Sequence, residues 1–320
     1  MPSSNNQDFY TWKGYRCAYE YYPGRENETD ETSNIPLLLL HPIGVGLSNN
    51  FWHRFGSEWR SRNFSNPIYN PDLLGCGSSD MPGVAYFPED WARQLQFFLE
   101  NVVKKPVIAI AQGADLPVLL SLVEIQQEPN FLKGLIFAGP PSWEVITTPS
   151  SQRSQKIIWN LLSSPLGSAF YLYARRRQFL NSFSVKQLFG DGKDVDKEWL
   201  DTLEKGAVNL KSRYAVFSFL AGFWRQNYEE AIASTSQPTL VIFGEGASSI
   251  SRTKTTETPQ ERLDAYLKRL PRGEGSIIPG RNVLPYESPA KFVDVVGEFY
   301  QKLSSQTGLR QPGTEKEADK

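Results

Sequence analysis

Apolar residues along the chain gather into short continuous runs separated by longer stretches with helical spacing. Pro36-Leu37-Leu38-Leu39-Leu40-His41 is the pattern of a strand buried on both faces. Phe51, Trp52, Phe55 and Trp59 then fall on one stripe of a helix. The next strand ends at Tyr69-Asn70-Pro71-Asp72 and runs into a glycine-rich turn. Trp91, Leu95, Phe98, Leu99 and Val102 predict a helix over Glu89 to Val103. Pro106 to Ala111 predicts a strand, Leu116 to Val123 a helix, and Leu135 to Ala138 another strand. Strands alternating with helices imply a mostly parallel sheet covered on both faces. Ahead of it, residues 9–22 alternate aromatic and polar side chains and read as one half-exposed edge strand. Arg25 to Ser33 is acidic and polar, and predicts a loop.

The rhythm breaks between about Ser150 and Trp224, where the pattern is helical, aromatic-rich and without a strand signal. It resumes with a strand at Thr239 to Phe243, a helix at Pro259 to Leu270, a strand at Gly275 to Ile278 and a helix at Pro289 to Tyr300. Thr258-Pro259 with Glu261, and Ser288-Pro289, are helix-start signals. These segments predict one α/β core over 9–149 and 225–303, with a helical insertion at 150–224 capping the strands' carboxyl ends. Residues 304–320 are polar and aperiodic, a disordered tail. No internal repeat is visible.

With 40% hydrophobic and 22% charged residues, the composition is that of a globular protein. A net charge of −1 argues against a nucleic-acid-binding surface spread over the molecule. Cys17 and Cys76 are too few for a disulfide framework or a thiolate metal site and suit a reducing compartment. The first residues lack a basic and an apolar region, so they do not read as a secretory signal. The longest apolar runs, such as Leu37 to Leu40, are far short of the roughly 20 residues a membrane span needs.

Several segments in register resemble the α/β-hydrolase family. Leu40-His41-Pro42-Ile43-Gly44 resembles its oxyanion loop, with Pro42 where glycine is usual. Pro71-Asp72-Leu73-Leu74-Gly75-Cys76-Gly77-Ser78-Ser79-Asp80-Met81-Pro82 resembles its D-x-x-G-x-G-x-S-D-x-P turn. Pro238 to Gly244 is similar to the strand leading to the acid, and Pro285-Tyr286-Glu287-Ser288-Pro289 to the segment after the histidine loop. The wording is most similar to uncharacterised cyanobacterial and plastid members. The resemblance spans residues 9–303 and implies an α/β-hydrolase fold, a doubly wound and mostly parallel sheet with an inserted helical cap. It also implies a serine on a strained elbow, a histidine base, an acid, and two backbone N–H groups holding an oxyanion.

The residues at those places do not supply that chemistry. The elbow reads Ala111-Gln112-Gly113-Ala114-Asp115, so glycine stands at the nucleophile position. Glycine fits the elbow's strained backbone, relieving about 1–3 kcal/mol by the usual scale. Gly244-Glu245-Gly246-Ala247-Ser248 puts Ala247 at the acid position. Gly280-Arg281-Asn282-Val283-Leu284-Pro285 holds no histidine and leaves Val283 at the base position. The chain has two histidines, His41 and His53. The resemblance implies a structural hydrogen-bonding role for His41. His53, on the first helix, is expected to be exposed.

The remaining candidates each have a bland reading. The amides of Ile43 and Ala114 stand where the oxyanion donors would be, but Asp115, in the first helical turn, is expected to cap or complement that helix end. Asp72 and Asp80 could pair for acid–base or metal work, although hydrogen-bonding the turn around Gly75 and Gly77 is the preferred reading. Gly44-Val45-Gly46 hints at a dinucleotide loop, but Asn49 replaces the third glycine. Asp191 to Asp196 fails the EF-hand spacing and more simply starts a helix at Lys197. In the insertion, Phe170-Tyr171-Leu172-Tyr173 beside Arg175-Arg176-Arg177 fits either a membrane or partner contact, or arginines snorkelling from a packed cap.

The expected function is therefore a non-catalytic protein acting on a small-molecule ligand or a protein partner, with no cofactor and no metal. His41, Ile43, Gly44, Gln112, Gly113 and Ala114 would shape its pocket. The alternative is a hydrolase or lyase working from Glu245, Asp115, His41 or Arg281. The expected compartment is the cytoplasm or plastid stroma, and a third reading is a peripheral protein of the thylakoid membrane using Arg175, Arg176 and Arg177.

Overall fold

The computed structural model describes residues 6–24, 34–126, 130–249 and 257–308. The chain opens with two antiparallel strands, β1 (Gln7–Trp12) and β2 (Tyr15–Tyr22), where the alternating run predicts one. Lys13 and Gly14 between them have φ of 49° and 81°, and a left-handed pair of this kind lets a two-residue turn match the strand twist. The period of two continues on both sides of the turn, so alternation alone conceals it.

The core then alternates as the apolar runs predict: β3 (Leu37–Leu40), α1 (His53–Ser61), β4 (Ile68–Pro71), α2 (Pro88–Phe98), β5 (Val107–Gln112), α3 (Leu116–Ile125) and β6 (Leu132–Ala138). Seven helices follow before the next strand: α4 (Trp143–Thr147), α5 (Gln152–Leu162), α6 (Pro165–Ala174), α7 (Arg177–Phe183), α8 (Lys197–Gly206), α9 (Arg213–Ala221) and α10 (Glu229–Ala233). The chain closes with β7 (Thr239–Gly244), α11 (Pro259–Leu267), β8 (Gly273–Ile278), α12 (Leu284–Glu287) and α13 (Pro289–Gly308).

Among the described residues eight strands form one sheet, ordered β1-β2-β4-β3-β5-β6-β7-β8. β2 is antiparallel to both β1 and β4, and every other pairing is parallel. This is an α/β fold with a mostly parallel sheet between helical layers. The Leu37–Leu40 run shows why both faces need covering. Leu38 and Leu40 pack with Ala109 and Ala111 on one side, whereas Leu37 and Leu39 pack with Ile108 and Ile110 on the other. β6 and β7 are direct parallel neighbours, and the segment inserted between them in the chain holds α4 to α10.

Several boundaries move: β6 begins at Leu132 and β8 at Gly273, each ahead of its expected start, and α2 ends at Phe98, short of Val103. α11 begins at its capping box, in which the Glu261 amide donates to the Thr258 hydroxyl and the Thr258 amide to the Glu261 carboxylate, but it ends at Leu267. The polar segment expected from residue 304 is helical as far as Gly308, with the hydroxyls of Ser304 and Ser305 donating to carbonyls four residues back. Buried Phe299 and Leu303 anchor that last stretch, and propagation carries polar residues along with it. Residues 25–33 and 309–320 lie outside the described residues. No helix among the described residues is long and apolar enough to cross a membrane.

Candidate ligand-binding site

The carboxyl ends of β3 and β5 meet the insertion around the turn that leaves β5. Gln112 is extended, with φ −96° and ψ 125°. Gly113 then swings to φ +62°, and a short turn leads into α3. That sign change is awkward for any residue with a Cβ and free for glycine. A Cβ built on Gly113 would meet nothing within 4 Å, so the residue is required by its backbone angle and not by crowding.

Above this turn lies a cavity of about 220 Å³. The strand-end loops contribute Ile43, Gly44, Gln112, Gly113, Ala114 and Val283 to its wall. The insertion contributes Phe170, Leu180, Phe183, Trp199, Val216 and Leu220. Polar side chains are sparse: Gln112, Ser184 and Asn282, with the indole of Trp199 already donating to Ser184 at 2.8 Å. Such a lining favours apolar ligands.

The polar groups are mostly spent on holding the loops. Gln112 Nε2 donates to the carbonyl of Asn282 at 2.7 Å, while its Oε1 is buried with no hydrogen-bond partner among the described residues. Asn282 Nδ2 donates to the carbonyl of Gln187 at 2.7 Å, and its Oδ1 accepts from the Ser248 amide at 3.3 Å. Arg281 Nε donates to the Ser248 hydroxyl at 2.8 Å, and Nη1 to the carbonyl of Lys186 at 2.7 Å. The loops after β7 and β8 therefore meet through Ser248, Arg281 and Asn282. Ala247 and Val283, the positions marked by spacing, are each one residue away from that contact. Ala247 packs partly buried on the core and Val283 is buried in the cavity wall. The signal that could have found the contact is that Ser248 and Asn282 are the neighbours able to hydrogen-bond.

His41 lies behind the cavity wall and is fully buried. The Leu73 amide donates to its Nε2 at 3.2 Å, which leaves the proton on Nδ1 to donate to the carbonyl of Pro42 at 3.1 Å. Burial lowers its pKa to about 4, so it is a neutral ring joining two loops. His53, expected to be exposed, is half-buried, with Nε2 2.9 Å from Glu20. Neither histidine lines the cavity.

Asp115 departs from expectation. Its side chain makes no capping bond, because the residue is already helical at φ −87° and ψ −1°. Its Oδ2 is buried without a hydrogen-bond partner among the described residues, and burial pushes its carboxyl well above the usual range. Asp72 holds the turn instead: Oδ1 accepts from the Asn49 amide at 2.9 Å and Oδ2 from the Ser78 amide at 2.7 Å. Burial pushes its pKa up to about 7. Asp80 accepts from the Arg16 amide at 2.7 Å through its carboxylate and from the Gly75 amide at 2.9 Å through its carbonyl, so it too holds the turn. Glu245 is exposed and lines neither this cavity nor the smaller one beside it. Gly46 explains the glycine pair after β3 without a nucleotide: at φ +78°, its Cβ would overlap the carbonyl of Leu203 in α8. The arginine cluster is mostly committed within the insertion. Arg175 donates to the carbonyls of Ala207 and Val208, Arg177 pairs with Asp201 and Glu204, and Arg176 remains exposed beside Tyr173.

The sequence pattern of the alpha/beta hydrolase family matches residues 37–295. No curated protein matches the chain. Among solved structures, a His-tagged serine hydrolase involved in carbazole degradation (CarC) aligns over 92% of this chain and 97% of its own, with a TM-score of 0.69 at 17% identity. A thermophilic esterase from Thermogutta terrifontis aligns over 91% and 94%, with a TM-score of 0.66 at 16% identity. A meta-cleavage product hydrolase (CumD) variant aligns over 92% and 98%, with a TM-score of 0.67 at 13% identity.

Proposed function

The chain belongs to the alpha/beta hydrolase family, and from that premise we propose that it keeps the family's pocket without its catalysis, binding an apolar small molecule between a helical cap and the strand ends. The observation that carries this reading is the cavity floor. Gly113 offers no hydroxyl, and its backbone angle favours glycine over any nucleophile. A base is missing as well, since both histidines of the chain are engaged away from the cavity. Glu245 is exposed and lines neither cavity, and Arg281 is tied to Ser248 and Lys186.

The test is a fluorophosphonate probe together with a panel of short- and long-chain esters, the substrate type suggested by the esterase and hydrolase names of the structural neighbours. No labelling and no turnover are expected. Turnover that vanishes in a Gln112→Ala, Glu245→Gln double variant would overturn the reading in favour of an enzyme with non-standard groups.

A second reading has its own support. Residues 145–190 contain Arg153, Lys156, Arg175, Arg176, Arg177 and Lys186 but no acidic residue, and Ile157, Leu161, Leu166 and Tyr173 are strongly exposed there. Apolar exposure within a one-signed cationic segment suits an anionic bilayer surface. Flotation with vesicles of phosphatidylcholine and phosphatidylglycerol should carry the protein up at low salt. Changing Leu161 and Leu166 to Ser should abolish this, and flotation that ignores both salt and those changes would end the idea.

A further inference from the structure

Beside the apolar cavity lies a smaller one of about 100 Å³ with different chemistry. The two share Gly113, Ala114, Phe219 and Asn282 as common wall. A Cβ on Gly113 would meet nothing within 4 Å, so nothing crowds the shared wall at that residue.

Among the residues lining only the smaller cavity are two buried polar groups with unused capacity. Arg262 is 5% exposed and donates through Nη2 to the Ser249 hydroxyl at 3.1 Å. Its Nε has no hydrogen-bond partner among the described residues, and the Glu257 carboxylate, 3.8 Å away, is beyond hydrogen-bonding reach. Ser142, 1% exposed, precedes α4 without making the capping bond usual for serine there, and its hydroxyl is unpartnered among the described residues. Each such group is costly to bury unmet. Both residues line the smaller cavity, and together they can offer donors to an acceptor with more than one oxygen. Nearby Glu257 offsets part of the guanidinium charge, which favours a singly charged head over a phosphate dianion.

We propose that the joined cavities bind an amphiphilic monocarboxylate, its head against Arg262 and Ser142 and its hydrocarbon tail passing Gly113 to lie among Phe170, Leu180 and Phe183. The tail half rests on the apolar-ligand reading above; the head half rests on Arg262 and Ser142.

The test measures displacement of the neutral apolar dye N-phenyl-1-naphthylamine by decanoate and by decan-1-ol, both below their aggregation limits. Wild-type protein should bind the dye and release it to decanoate at concentrations at least about tenfold lower than to decanol, the size of one charge-assisted contact. Arg262→Gln should remove that preference while dye binding persists, and Ser142→Ala should reduce it. Equal displacement by the two ligands in the wild-type protein overturns the carboxylate proposal but spares the apolar pocket, and requires no variant to fold. Failure to bind the dye or either ligand, by fluorescence and by calorimetry, overturns both.

Discussion

The two halves of the cavity wall obey different rules. In the strand-end loops, polar side chains are buried and bonded to backbone: His41 to Leu73 and Pro42, Asp72 to Asn49 and Ser78, Gln112 to Asn282. In the insertion, apolar side chains face water. Among the described residues, the strongly exposed large apolar side chains other than Val84 and Phe87 all lie between Ile157 and Leu220. α5 buries no residue fully, although its Gln155, Trp159 and Leu162 are partly covered. One half is thus specified by hydrogen bonds that permit a single loop geometry, and the other by hydrophobicity that invites an occupant or a surface.

The sharpest break of this contrast is at the seam. Gly46 in the loop after β3 and Gly206 at the end of α8 approach backbone to backbone, and a Cβ on either overlaps the other half. Gly46→Ala combines that overlap with a left-handed φ and should cost about 3 kcal/mol. Urea unfolding monitored by tryptophan fluorescence measures it. A loss below about 1 kcal/mol would mean the insertion yields easily.

Asp115 tests the loop half by pH. Its folded pKa is raised, so between the unfolded value near 4 and the folded value the native state holds a proton that the unfolded chain has released, and stability falls as pH rises. Asp115→Asn removes this term. The variant should gain on the wild type as pH rises above the unfolded value, by up to about 1.4 kcal/mol per pH unit until the folded group itself titrates. Paired denaturation curves across that range show the slope; a constant difference would refute a protonated Asp115. His41 acts in the opposite sense. Its pKa of about 4 lies below the unfolded value, so its contribution is lost as pH falls toward 4.

The sheet was legible because its signals are periodic and local: a four-leucine strand, stripes of aromatic residues, a capping box at Thr258. The β1–β2 turn was not, because the alternation continues on both sides of Lys13-Gly14. At the site, residue type at a single position told more than register did. Gly113 could be read as an elbow glycine, since one backbone angle decides it. Ser248 and Asn282 are marked in the sequence only by their capacity to hydrogen-bond, and position misses them, because spacing in irregular loops carries an uncertainty of at least one residue and the contact joins segments 34 positions apart. The state of Asp115 was equally hidden, for burial depends on what α2 and the insertion place around it. Arg262 and Ser142 carry no motif, and only the packing reveals their unmet capacity.

Gln112→Ala probes the bond that fastens the β5 turn to the loop after β8. Its loss strands the Asn282 carbonyl beside an apolar wall and should cost about 1.5 kcal/mol, read from a thermal melt. The buried Gln112 Oε1 is already unpartnered among the described residues, so removing it returns part of the penalty and keeps the figure below that of a fully satisfied amide.

Gly113→Ala is the smallest effect and the counterpart of Gly46→Ala. Both glycines have φ between +60° and +80°, yet one faces a helix backbone and the other faces open space. If crowding separates the two sites, the Gly113 variant pays for the left-handed angle alone, about 1 kcal/mol. Gly113→Ser should cost about the same, because its hydroxyl projects into space that is already free. That serine should still leave ester turnover at the background rate, since neither histidine can reach it: His41 is held at both ring nitrogens and His53 is paired with Glu20. Measurable phosphonylation of the Gly113→Ser variant by a fluorophosphonate, with fluoride released and stability unchanged, would mean that the cavity supplies a base the two histidines do not.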